Sequence, residues 1–231
     1  MKVTYFGHSC LLVEVAGFKL LFDPFIAGNP LTVGLVDVAS IEADFVLLSH
    51  GHADHVADAK AILDRTGAML ISNYEIVTWF AAQGCTHGHP MNHGGSFDFP
   101  FGRVKYVSAI HSSMLPDGSY GGNPGGFVVE TAEGAFYFSG DTALTYDMQL
   151  IGADHTIAWA AICLGDNFTM GPRDAVKCAT WVGTKQVLGI HFDTFPPIAI
   201  DHAAAKNLFA DAGIALHLLP VAGTFVPAPS A

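Results

Sequence analysis

Positive charge is scarce in this chain: only 10 of its 231 residues are lysine or arginine, against 21 aspartates and glutamates, for a formal net charge of −11. Polyanionic partners need a basic footprint to hold them, so DNA, RNA and anionic membrane surfaces are not expected as partners. Cysteine is sparse as well. Cys10, Cys85, Cys163 and Cys178 stand far apart with no CxxC pair, which argues against a thiolate zinc site and a disulfide framework and fits reduced thiols in a cytoplasm. Apolar runs of about 18 or more residues are missing. The opening "MKVTYFGHSC" goes straight into strand-like alternation rather than a signal-peptide pattern. Internal repeats at a fixed period, low-complexity tracts and an interdomain linker are also missing. The expectation is therefore one cytoplasmic domain over residues 1–231, with only the tail "VPAPSA" reading as frayed.

What is present is an alternation of short apolar runs and helical patterns. "VTYFG", "CLLVEVA", "KLLFDPF" and "FVLLS" read as strands, with a turn at Gly17. "ADAKAILDRTG" carries helical spacing and a terminating Gly67, "AMLIS" returns as a strand, and "NYEIVTWFAAQG" is a helix with Asn73 as N-cap and Gly84 as its stop. "SFDFP", "GRVKYVSAI", "GGFVVET" and "AFYFSG" form a second β-rich block. After it come strand "TIAWAAICL", helix "PRDAVKCATWVG", strand "QVLGIH", helix "DHAAAKNLFADAG" and strand "IALHLL". Two β-rich blocks, each followed by helix and strand alternation, point to a four-layer αββα sandwich as one option among several.

Histidine is abundant, with 12 copies, and its placement carries most of the information. "FVLLS" runs into His50, "VKYVSAI" into His111, "AFYFSG" into Asp141 and "QVLGI" into His191. If those strands lie side by side, their ends deliver these groups to one rim. His50, His52, Asp54 and His55 crowd the stretch "HGHADH". The whole set is His50, His52, Asp54, His55, His111, Asp141 and His191, five imidazoles and two carboxylates. Such donors suit zinc, manganese or iron, and they exceed what one tetrahedral ion uses, so two divalent ions are implied. Neither a continuous helix nor a strand presents all four residues of "HGHADH", so this segment is expected to be a loop.

These motifs resemble the pattern of the metallo-β-lactamase superfamily. "GHSCLLVE", "DPFIAGNPLT", "MNHGGSF", "HSSMLPDGSYGGNPGGFV", "GDNFTMGPRDAV" and "HFDTFPPI" are further similar to a family of metal-dependent hydrolases within it, itself similar to L-ascorbate-6-phosphate lactonases. The resemblance implies the αββα fold and a small-molecule substrate. It also implies a metal-activated water that attacks an acyl or phosphoryl centre, and possible homo-oligomer formation. By the same resemblance His50, His52 and His111 hold a first ion, Asp54, His55 and His191 a second, and Asp141 bridges them. Zinc is the first expectation, with manganese and iron as alternatives. Asp54 additionally orients the water or accepts its proton.

Four other groups are candidates for supporting roles, each set against a plain structural one. His8 ends "VTYFG" as the donors end their strands and is read as a metal-supporting or substrate-contacting residue. Asp23 ends "KLLFD" and resembles an acid that braces the metal loop through backbone hydrogen bonds. Asp166 and Asn167 in "GDNFTMGPRDA" follow another strand end, and Pro172 at a helix start turns N–H groups towards an anionic substrate. The glycine-rich "YGGNPGG" lacks the context of a phosphate-binding loop and reads as backbone close to the site. His87, His89 and His93 crowd a loop without carboxylates, and His155, His202, His217 and Cys163 read as structural. Competing readings are a non-catalytic metal-binding protein and a di-iron redox protein on the same fold. The acidic charge argues against a nuclease, and the missing export signal against a secreted β-lactamase.

Overall fold

The computed structural model describes residues 1–228. Strands β1 (Lys2–Tyr5), β2 (Leu11–Val15), β3 (Phe18–Phe22), β4 (Phe45–Leu47), β5 (Met69–Asn73) and β6 (Gly88–Met91) come from the first part of the chain. Strands β7 (Ser96–Phe99), β8 (Gly102–Ser108), β9 (Gly125–Thr131), β10 (Gly134–Phe138), β11 (Ile157–Cys163), β12 (Gln186–Ile190) and β13 (Ala215–His217) come from the second, and β14 (Thr224–Phe225) closes the chain. One sheet runs β14-β1-β2-β3-β4-β5-β6 and the other β13-β12-β11-β10-β9-β8-β7. The two repeat one topological scheme without repeating a sequence. β1, β2 and β3 pair antiparallel and β3 through β6 parallel, as β7 to β10 pair antiparallel and β10 to β13 parallel.

Strand direction decides which ends can meet. β1, β3 and β4 point the same way in one sheet, and β8, β10, β11 and β12 do so in the other. β2 and β9 run oppositely. The stretches carrying His8, Asp23, His50, His111, Asp141 and His191 all follow the first group of strands.

Between the sheets lies an aromatic core in which Phe22 packs on Phe138 at 4.8 Å between ring centres and Phe136 on Trp159 at 4.8 Å. β11, "IAWAAIC", is apolar on both faces because it is covered by the other sheet and by helices, as parallel central strands require. Helices α1 (Ala53–Val56), α2 (Ala59–Thr66) and α3 (Tyr74–Ala82) follow strands of the first sheet, and α2 and α3 cover it with Ile62, Leu63, Ile76 and Phe80. Helices α4 (Met148–Asp154), α5 (Pro172–Trp181) and α6 (His202–Asp211) lie with the second sheet, where Ala175, Cys178, Ala179 and Phe209 join its core. The expected four-layer αββα order is the observed one. Among the described residues no helix is long and apolar enough to cross a membrane.

Local signals account for several boundaries. Asn73 Oδ1 accepts from Ile76 N at 2.9 Å to cap α3, Asp201 caps α6 in the same way, and Gly67 ends α2 in the left-handed region at φ 71°. Other elements depart from expectation. The "HGHADH" segment is not wholly loop: the short helix α1 begins at Ala53, after His52, and lets the chain turn within one residue. α4 carries Gly152, whose bare Cα lets the helix approach Trp181, where a Cβ would stand 2.1 Å from the carbonyl oxygen. That glycine weakens the helical pattern it serves. His89, expected in a loop, lies in edge strand β6 against Phe97. Of the tail expected to fray, Ala228 is held by Gln186 through bonds of 2.8 and 3.1 Å, and residues 229–231 lie outside the described residues.

Candidate metal centre

Seven side chains gather where the two sheets meet along the rim. Backbone bonds stitch the rim together: His191 N donates to His8 O at 2.8 Å, and Gly125 N and Tyr106 Oη donate to Ser49 O at 3.1 and 2.8 Å. His8 at φ 54°, Asp23 at φ 41° and His191 at φ 54° are all left-handed. Such conformations cost energy in non-glycine residues and persist where surrounding structure imposes them.

The donors that face the cleft fall into two groups, and behind them Asp23 forms a third with His50 and His55. His50, His52 and His111 can each offer an atom within 4.8 Å of the others, and so can His8, Asp54, His55 and His191. His50 Nε2 and His52 Nδ1 face each other at 3.0 Å. Asp141 Oδ2 lies between the groups, 3.6 Å from His111 Nε2 of the first and 3.4 and 2.8 Å from His55 Nε2 and His191 Nε2 of the second. Asp54 Oδ2 is 4.0 Å from both His55 Nε2 and His191 Nε2.

Asp23 stands behind this set, fully buried. It accepts from Ser49 N at 2.8 Å, from Ser49 Oγ at 2.5 Å and from His55 Nδ1 at 2.7 Å. That last bond fixes the His55 tautomer and turns its Nε2 towards Asp141, the carboxylate–histidine arrangement found behind metal ligands. Ser49 Oγ also lies 3.0 Å from His50 Nδ1, so Asp23 steadies His55 directly and His50 through this serine. Gly140 has φ 57°, and a Cβ there would meet Ser49 Cβ at 2.7 Å, so the approach of the Asp141 turn to this serine requires glycine.

The residues present fit metal binding. His55 Nε2 and Asp141 Oδ1 are buried without any hydrogen-bond partner, a state that costs about 1–3 kcal/mol per group unless something supplies the missing contact. The donor set, imidazole plus carboxylate with no thiolate, suits borderline and hard divalent ions. Burial opposes charge on His50, His52 and His111 and holds each below the usual imidazole range, leaving neutral lone pairs. For His55 burial works the same way, but Asp141 and Asp23 overcome it and hold the ring well above that range. Burial likewise works against the Asp141 charge, and His55 and His191 overcome it, holding the carboxyl well below its usual range.

A proton on His55 is thus held where ion binding needs a lone pair. Between the ordinary imidazole value and the raised one, an arriving ion displaces that proton, so affinity rises with pH and falls on acidification. Calorimetric titration of the metal-free protein near neutrality, in two buffers of different ionisation enthalpy, is expected to register release of about one proton. Zero release would contradict the assignment of that proton.

Comparisons with known proteins show the family. Residues 2–191 match the model of the Beta-lactamase superfamily domain. A UPF0173 metal-dependent hydrolase of Methylacidiphilum infernorum is 50% identical over 222 residues, covering 96% of this chain and 97% of that protein. One from Christiangramia forsetii is 48% identical over 221 residues with the same coverage. This chain belongs to the UPF0173 metal-dependent hydrolase family of the metallo-β-lactamase superfamily. Among solved structures, Igni18, a metallo hydrolase from the archaeon Ignicoccus hospitalis, superposes with a TM-score of 0.87 at 30% identity and covers 97% of both chains.

In this family member the remaining candidates are distributed unevenly. His8 is fully buried, with Nδ1 2.9 Å from Thr194 Oγ1 and Nε2 3.1 Å from Asp54 Oδ2. Burial lowers its pKa to about 4. Asp166 and Asn167 do not line the metal cleft, which corrects the expectation of substrate contacts there. Their φ angles of 56° and 39° reverse the chain, leaving both exposed; Asp166 lines a neighbouring cavity, and Phe168 lines the cleft instead. The α5 N-terminus opens onto that same neighbouring cavity.

The glycine-rich stretch packs on the metal loop: Gly51 N donates to Ser113 Oγ at 3.0 Å, and Ser113 Oγ donates to Gly121 O at 2.9 Å. His87 and His93 bond carbonyls of Gly67 and Pro124 at 3.0 and 2.8 Å, outside the donor groups. Cys163 is buried at 3.5 Å from Thr142 O, and burial raises its pKa. Thr194, Ser112, Phe168 and Phe195 were not singled out as site residues from sequence. They carry no donor motif, and only their position beside His8 or in the cleft marks them.

Proposed function

We propose that this protein uses two divalent ions, zinc first with manganese or iron as alternatives, to hydrolyse an ester, lactone or phosphoester bond in a small molecule. The observation that carries the proposal is the position of Asp141 Oδ2, within 3.6 Å of imidazole nitrogens from both donor groups. His50, His52 and His111 would hold the first ion and Asp54, His55 and His191 the second, with Asp141 shared. Bound ions of this kind supply Lewis-acid polarisation and lower the pKa of water from about 15.7 towards 7.

The chain's own groups do the rest. Asp141 is buried and committed to the donors, whereas the Asp54 side chain keeps 31% of its surface and reaches the cleft. Burial alone would raise the Asp54 pKa, yet its hydrogen bond to His8 helps hold it well below the usual carboxylate range. It therefore stays ionised and can accept a hydrogen bond that orients water, and its place in the cleft makes it the group to receive the proton of that water. His8, tied to Thr194, fixes the direction of that carboxylate. Four buried free thiols support a cytoplasmic setting.

Replacing His8 by alanine is expected to weaken binding of one ion about 10–100-fold, as loss of a supporting partner does. His8→Asn, which keeps a polar group facing Asp54, should retain part of the affinity. Metal titration followed by calorimetry checks this, and equal affinities in wild type and His8→Ala would reduce His8 to packing. The function itself is tested by stripping the metals, reloading with zinc, manganese or iron, and screening lactones, phosphodiesters and thioesters. Metal-dependent turnover is expected. A fully loaded protein that turns over none of them would favour the non-catalytic reading.

A further inference from the structure

The cleft over the donors has a volume of about 380 Å³, at the small end of the roughly 300–1,000 Å³ typical of small-molecule sites. Its polar lining is five of the donors, His52, Asp54, His111, Asp141 and His191, plus Ser112; the rest is Phe168 and Phe195. Among the described residues no lysine or arginine lines it. Six of the ten cations are committed elsewhere: Lys2, Lys60, Arg65, Arg103, Lys105 and Lys177 all pair with carboxylates away from the cleft. Arg173 lines the adjoining cavity, where Asp166, Asp174 and Asp201 outnumber it. A phosphate or carboxylate carried at a distance from the scissile bond would thus find no cation there, and Arg or Lys is what such groups ordinarily require.

The lip of the cleft is apolar and open. Phe168 is 56% exposed and Ile110 57%. Both belong to one rim, because Ile110 N donates to Thr142 Oγ1 at 3.0 Å and Met170 N donates to Thr142 O at 2.9 Å, tying their two loops to the turn that carries Asp141. Phe168 and Ile110 therefore offer apolar surface beside a concave site, where a ligand group can cover it.

We infer that the substrate is a neutral ester, lactone or thioester whose non-reacting part is an aromatic or branched aliphatic group seated against Phe168 and Phe195, and that phosphorylated or carboxylated analogues are rejected. This inference rests on the hydrolase reading above and narrows it. The scissile carbonyl faces the donors; everything beyond it meets apolar surface and no compensating positive charge.

The test uses matched pairs of substrates sharing one scissile bond, one member neutral and aryl- or isoalkyl-substituted, the other bearing a phosphate at the same remote position. With the metal-loaded protein, kcat/KM is expected to favour the neutral member at least about tenfold, the discrimination a fitted apolar pocket supplies. Phe168→Ala should raise KM for the neutral member, and Phe168→Lys should shift the preference towards the phosphorylated one. Equal or better turnover of the phosphorylated member, or a preference unmoved by Phe168→Lys, would overturn the inference. If the loaded protein hydrolyses neither member, the hydrolase reading fails while the lining stays testable: equilibrium binding of the corresponding unreactive amides should show the same preference for the neutral compound, and its absence would overturn the inference separately.

Discussion

Replacing Asp141 by asparagine is expected to lower the bound metal below the proposed two ions per chain and to reduce kcat/KM on the order of 10³-fold. The argument begins with size. Asparagine is nearly isosteric, so the turn after β10 keeps its shape, and what disappears is the charge. Asp141 Oδ2 faces three imidazole nitrogens between 2.8 and 3.6 Å away, and Oδ1 is buried with no protein partner. A neutral amide in that position leaves two ions with one compensating carboxylate fewer and points an N–H at one of them if it flips. Losing a good share of the several kcal/mol that metal polarisation supplies, about 4 kcal/mol, corresponds to roughly that thousandfold change. Metal analysis of the purified variant alongside steady-state kinetics checks both halves. An Asp141→Asn protein with two tightly held ions and nearly normal rates would show that the carboxylate is not shared.

The second large effect concerns Asp54. Asp54→Asn is expected to lower kcat by about 10²–10⁴-fold, the range of a positioned acid–base group, with KM changed little when metal is in excess. His8 Nε2 at 3.1 Å contributes to holding Asp54 ionised, so protonation of this carboxylate is not what ends activity in mild acid. The proton held on His55 by Asp141 and Asp23 competes with the ions first. It follows that added metal should move the acid limb of the wild-type rate profile to lower pH. A limb that ignores metal concentration would contradict that competition at His55, and an Asn variant restored to full rate by excess metal would assign Asp54 a ligand role alone.

Much of this centre was legible because strand ends are rigid and directional. His50, His111 and Asp141 each lie three residues past β4, β8 and β10, and His191 follows β12 directly. Parallel alignment of those strands turns sequence position into convergence. The same rule misled at Asp166, also three residues past its strand, β11, because the chain reverses at Asp166 and Asn167 and delivers Phe168 to the cleft. No donor pattern distinguishes an aromatic residue in a loop that packs from one that lines a site, so Phe168 and Phe195 stayed hidden. α4 was obscured by the glycine that lets it pack on Trp181. Thr194 reads as an ordinary loop residue until its hydroxyl is found 2.9 Å from His8.

The central claim is that two cations share one carboxylate between two groups of donors. Crystals of the metal-loaded protein, with anomalous scattering recorded on both sides of the metal absorption edge, test it most directly. Two peaks are predicted, one among His50, His52 and His111 and one among Asp54, His55 and His191, with Asp141 in contact with both. A single peak at full occupancy under metal excess, or peaks away from these side chains, would contradict it.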